Sequence, residues 1–132
     1  MSLESITVDQ PINASPASVW ERISTPEGIA RWWGPGDIAP AVGHEFTMDM
    51  GKWGKVPCRV LEVVPHAKLA YTFADWELHW TILPTENGCV LRLEHRGFDL
   101  NNPKHRYSFD NMGPGWRDMV LPRLAEDLAE AA

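Results

Sequence analysis

The sequence lacks most of what would mark a secreted, membrane-embedded or metal-dependent protein. It has two cysteines, Cys58 and Cys89, each in an apolar strand-like run with no CxxC or metal-ligand spacing. A disulfide framework is therefore not implied, and buried thiols in a reducing cytosol are expected. No stretch approaches the roughly 18 uninterrupted apolar residues of a membrane span, and MSLESITVDQ has neither the basic nor the apolar region of a secretion signal. Both absences predict a soluble, cytoplasmic protein without membrane insertion. Positive charge is in deficit: 12 Lys+Arg stand against 18 Asp+Glu, for a net charge of -6. No global field would draw this chain to phosphate, so nucleic acid is not expected as a partner. The histidines show no HxH, HxxxH or HExxH spacing, which argues against a metal site, and no GxSxG elbow marks a nucleophile. No cofactor is implied.

What is present fits one domain spanning residues 1–132, with 44% hydrophobic residues and seven tryptophans spread along the chain. Ile6 and Val8 alternate with polar neighbours in a first strand. Ser15-Pro16 and Thr25-Pro26-Glu27 each pair a cap residue with proline at the first helical position, predicting two short helices. The first buries Val19, Trp20 and Ile23; the second carries Ile29, Trp32 and Trp33.

From Val42 to Met50 the alternation places His44, Phe46 and Met48 on one face. A turn over 51–54 leads to a strand around Val60 that is apolar on both faces, so its inward side is left open. Leu69, Tyr71 and Phe73 share a face of the next strand, and Trp76, Leu78, Trp80 and Ile82 a face of the one after, with His79 pointing to solvent. Glu86-Asn87-Gly88 predicts a hairpin whose glycine supplies a positive φ. Leu91, Leu93 and His95 align on the last strand. Asp99 to Gly115 has no sustained period and is expected to be a long connection, with one helical turn after Asn102, of the kind that often forms a lid. Trp116, Val120, Leu124 and Leu128 then recur every four residues, predicting an amphipathic helix from about Pro114 to Ala129 that Pro122 bends. The order predicts an α+β fold: a curved six-stranded antiparallel sheet around a long C-terminal helix, with two short helices between strands 1 and 2.

The chain resembles the START-like or SRPBCC superfamily, and within it the family related to the activator of Hsp90 ATPase, the AHSA1-like proteins. The resemblance runs along essentially the whole chain. It is carried by Ser15 to Trp20, Arg31-Trp32-Trp33-Gly34-Pro35, Gly43 to Phe46, Val60 to Val63 through Pro65, Lys68 to Phe73, Gly88 to Phe98, and Gly115-Trp116 leading to Leu121 and Leu124. Phe73 stands where the family often has tryptophan, and Pro122 departs from the family's uninterrupted final helix. The resemblance implies a helix-grip fold around an apolar cavity. Its relatives include lipid carriers, polyketide cyclases, self-sacrificing resistance proteins and co-chaperones, and the fold alone does not choose among them.

Large aromatic and methionine side chains on the inward faces predict a ligand site between sheet and C-terminal helix, lined by Trp33, Phe46, Met48, Tyr71, Phe73, Trp76, Trp80, Trp116 and Val120. His44 and His95, on the same faces, are its expected polar anchors. The favoured function is binding of a hydrophobic or amphipathic small molecule by a carrier, sensor or sequestering protein, as monomer or homodimer. A cyclase- or dehydratase-type enzyme is the alternative, and would need a histidine beside a desolvated carboxylate such as Glu62, Asp49 or Glu94. A co-chaperone is the third reading, and the weaker for the lack of room in 132 residues for the eukaryotic activator's additional N-terminal domain.

Overall fold

The computed structural model of the chain describes residues 3–51 and 54–131. The strands are β1 (Glu4–Ile12), β2 (Glu45–Asp49), β3 (Lys55–Val64), β4 (Lys68–Phe73), β5 (Trp76–Thr85) and β6 (Gly88–Phe98). They form one antiparallel sheet in the order β1-β6-β5-β4-β3-β2. Because β1 and β2 lie at opposite edges, the chain must cross the sheet between them. It does so through α1 (Pro16–Ser24) and α2 (Pro26–Ala30). Both helices start as their sequences dictate: Ser15 Oγ accepts from Ser18 N–H at 3.2 Å, and Thr25 Oγ1 accepts from Gly28 N–H at 3.0 Å.

Each strand buries alternate residues, so one sheet face carries the core: Ile6 and Val8, Phe46 and Met48, Cys58 and Val60, Leu69 and Tyr71, Leu78 and Trp80, Leu91 and Leu93. The side of β3 left open by its sequence is thereby settled. A register shift between Val60 and Glu62 then turns Glu62 toward Lys68 Nζ, 3.5 Å away.

Several expectations are corrected. The single helical turn expected after Asn102 within a long connection over 99–115 extends to a full helix, α3 (Pro103–Gly115), capped by Asn102 and opened by proline. Helix continues through a π-helical turn (Trp116–Val120) into α4 (Leu121–Ala131). In place of the expected four-residue repeat through Val120, the π turn puts Leu121 N–H on the Trp116 carbonyl, and the buried stripe runs Trp116, Leu121, Leu124, Leu128. Pro122 follows at once; with no N–H and a ring that crowds the carbonyl four residues back, it favours a widened turn there. Gly88 has no positive φ. It is needed because a Cβ there would lie 2.3 Å from the Ile12 carbonyl oxygen, where β1 ends. His79 is buried on the outer sheet face, with Nε2 2.8 Å from Glu77 Oε1. The turn expected over 51–54 includes Lys52 and Trp53, which lie outside the described residues.

Asp127 fastens α4 to the crossing helices, its carboxylate receiving Arg22 Nε at 2.6 Å and Arg31 Nε at 2.8 Å. Burial works to raise the Asp127 pKa, but the two arginine hydrogen bonds outweigh it and hold the carboxyl below its usual value.

Candidate aromatic site

Between the inner sheet face and the π turn the side chains form a run of touching rings. Trp33, just past α2 and half-buried, meets Trp116 at 5.1 Å between ring centroids, Phe73 at 5.4 Å and Trp80 at 6.4 Å. Trp80 in turn meets Trp116 at 5.6 Å, edge to face. Beyond them His95 lies against Phe98 at 4.7 Å, Trp76 at 5.7 Å and Phe73 and Trp116 at 6.2 Å. Edge-on and tilted contacts of this kind suit the ring quadrupoles.

Of the sequence-predicted residues, Trp33, Phe73, Trp76, Trp80, His95 and Trp116 thus come together. Tyr71 joins them through its hydroxyl, which accepts from Trp80 Nε1 at 3.0 Å. Full burial drives the Tyr71 pKa far up, so this hydroxyl stays neutral. Phe46 and Met48 are buried one layer away, with Phe46 edge-on to Tyr71 at 5.1 Å. Val120 is only half-buried, on the π turn.

His44 does not join the group. It is half-buried ahead of β2, stacks on Phe46 at 6.2 Å, and its Nε2 is 2.8 Å from the Asp37 carbonyl oxygen. The sequence missed Phe98. Strict alternation on β6 would turn Gly97 inward, but Gly97 adopts φ +101 and the β1 register slips there, so Phe98 takes the inward place beside His95.

His95 is the polar centre of this region. Its side chain is wholly buried, and Trp116 Nε1 donates to its Nδ1 at 3.1 Å. An indole can only donate, so Nδ1 is the acceptor and the neutral ring carries its proton on Nε2. Burial among rings pushes the His95 pKa down to about 3, leaving the neutral form at pH 7. Among the described residues its Nε2 has no hydrogen-bond partner, and neither does the buried Nε1 of Trp76. No carboxylate pairs with His95 among the described residues; the histidine–carboxylate contacts there are His79 with Glu77 at 2.8 Å and His105 with Asp75 at 3.5 Å. Nor do the described residues gather three or more His, Cys, Asp or Glu side chains suited to a metal.

Two surface hollows lie elsewhere. One of about 490 Å³ borders the start of α1, and one of about 450 Å³ lies beside Asp37, Phe46, Cys58 and Arg59. Burial raises the Cys58 thiol to about 12, so it is no nucleophile at neutral pH. Among the described residues no helix is long and apolar enough to cross a membrane.

A six-stranded antiparallel sheet gripping a C-terminal helix, with rings between the two, defines the helix-grip class. The family model described as activator of Hsp90 ATPase homolog 1-like protein matches residues 13–129, and the chain belongs to that family. Similar solved structures include protein BH1534 of Bacillus halodurans, at 29% identity over 97% of this chain and 99% of that one, with a TM-score of 0.84. Protein MLL2253 of Mesorhizobium loti is 29% identical over 96% of this chain and 95% of that one, with a TM-score of 0.81. The Aha1 dimer of Colwellia psychrerythraea shares the fold at 19% identity, covering 95% of this chain and 96% of that one, with a TM-score of 0.81. No curated protein matches.

Proposed function

We propose that this protein binds a hydrophobic or amphipathic small molecule between its sheet and C-terminal helix, as a carrier, sensor or sequestering protein. The observation that supports the reading is the unbroken path of rings from half-buried Trp33, through Trp116 and Phe73, to fully buried His95. A core that needed only to be filled would not require polar indole and imidazole groups at its deepest point, where each unpaired donor carries a desolvation cost of about 1–3 kcal/mol. The π turn beneath Trp116 adds support, since such turns recur at functional sites. The enzyme alternative is less favoured because the partner of His95 is an indole rather than a carboxylate.

The test is titration of the protein with long-chain lipids and with an environment-sensitive apolar dye while tryptophan emission is followed. Saturable, mutually competitive responses that weaken in Trp33→Ala are expected. Absence of any saturable response would return these rings to a purely structural role and leave a protein-binding, co-chaperone-like surface as the reading to pursue.

A further inference from the structure

We propose that the buried end of the ligand is a neutral hydrogen-bond acceptor, the carbonyl oxygen of an otherwise apolar ketone, ester or lactone, received by His95 Nε2–H and Trp76 Nε1–H. This inference rests on the binding site proposed above and names the chemistry of its guest.

Two donors in this region are without partners among the described residues, and they belong to neighbouring rings with centroids 5.7 Å apart. Trp76 Nε1 can only donate, and His95 Nε2 is fixed as a donor because Trp116 Nε1 already occupies Nδ1. Both side chains are more than nine-tenths buried, His95 at 0% and Trp76 at 6% exposure. Buried polar atoms are almost always satisfied, so adjacent orphans of one polarity define what is missing. The missing group must accept, and a proton of its own would meet only rings.

A carbonyl oxygen brings two lone pairs and no proton. A primary amine or ammonium head would place donors against donors. A carboxylate would carry a full charge into a setting of Phe73, Phe98, Trp76 and Trp116 rings that offers no cation to meet it. The imidazole cannot supply that cation, since the same burial keeps it neutral at pH 7. His105, which also packs on Trp76, is already engaged by Asp99 N–H at Nδ1 and faces Asp75 at 3.5 Å.

The matched probes are 2-nonanone and n-nonane, titrated into the full chain by calorimetry while the Trp76 indole N–H and His95 imidazole nitrogens are followed by NMR. An apolar pocket without a polar anchor prefers the alkane, because the ketone must shed its hydration. Here the ketone is expected to bind at least about tenfold more tightly, the worth of one well-made buried hydrogen bond. It should also shift the Trp76 N–H proton downfield and perturb His95 Nε2, which nonane should not. His95→Phe should bring the two affinities together while retaining nonane binding, and Trp76→Phe should reduce the preference by a smaller factor. The wild-type resonance shifts decide the matter even if His95→Phe fails to fold. Saturable binding of both probes with the alkane equal or tighter would overturn the acceptor assignment and leave the binding site standing. Saturable binding of neither would overturn both.

Discussion

Neutral, buried His95 ties stability to pH in a direction that can be measured. In the unfolded chain a histidine takes up its proton near pH 6.5. In the folded protein burial delays this to about pH 3. Between those values the unfolded state binds one more proton than the native state, so native stability is full above about pH 6.5 and falls as the pH drops toward 3. The slope approaches about 1.4 kcal/mol per pH unit, which amounts to about 2.5 kcal/mol between pH 7.5 and 4.5. For a domain of this size that is a sizeable share of the roughly 5–15 kcal/mol total. Asp9 and Asp127, held below their usual values with hydrogen-bonded arginines, lose their contribution at lower pH and largely outside this window. The assay is urea unfolding followed by tryptophan emission at half-unit steps from pH 4.5 to 7.5, for wild type and His95→Phe. The variant's curve should be flatter by about 2.5 kcal/mol across the range, whatever its absolute stability. Parallel curves would mean that His95 takes up its proton in the native state, and the dry aromatic setting argued for it would be wrong.

Gly88→Ala should destabilise the protein by about 2 kcal/mol, because its methyl would meet the Ile12 backbone oxygen at 2.3 Å and backbone rather than side chain must yield; thermal unfolding measures it. Asp127→Ala should cost about 1–3 kcal/mol in chemical denaturation by releasing Arg22 and Arg31, and most of that cost should persist in moderate salt because the Arg22 and Asp127 side chains are only 16% and 12% exposed. His44→Phe should leave both stability and the ketone-over-alkane preference nearly unchanged, since His44 lies outside the ring cluster and spends its Nε2 on the Asp37 carbonyl; a lost preference would return His44 to the site. Trp116→Phe keeps an aromatic ring but removes the donor to His95 Nδ1, and should cost about 1–2 kcal/mol in urea unfolding.

The strands were legible because their inward residues alternate without interruption, as Leu91, Leu93 and His95 do on β6, and the two short helices because Ser15 and Thr25 each stand before a proline. What escaped were features set by packing rather than by period. Gly88 reads as a turn residue, but it serves the close approach of β1 to the hairpin, which only the folded register creates. His79 alternates away from the core and yet is buried, flanked across the sheet by Ala70 and Glu94 and with Glu77 engaging its Nε2. The Asp99 to Gly115 stretch is poor in apolar period because α3 is largely exposed, with Gly113 its one fully buried residue, so its helicity comes from the Asn102 cap and the continuation into α4.

The polar anchor of the site shows the same limit most sharply. Four-residue spacing selects Val120 as the neighbour of Trp116, whereas the π turn sets Leu121 beneath it and turns the indole toward the sheet. Only in that setting does Trp116 Nε1 reach His95 Nδ1, which fixes the imidazole proton on Nε2 and leaves it beside the unpaired Trp76 indole. The choice of acceptor over donor in the ligand thus follows from one extra residue in a helical turn, and the nearest sequence signal for it is a proline, Pro122, placed where an α-helix would need a backbone N–H.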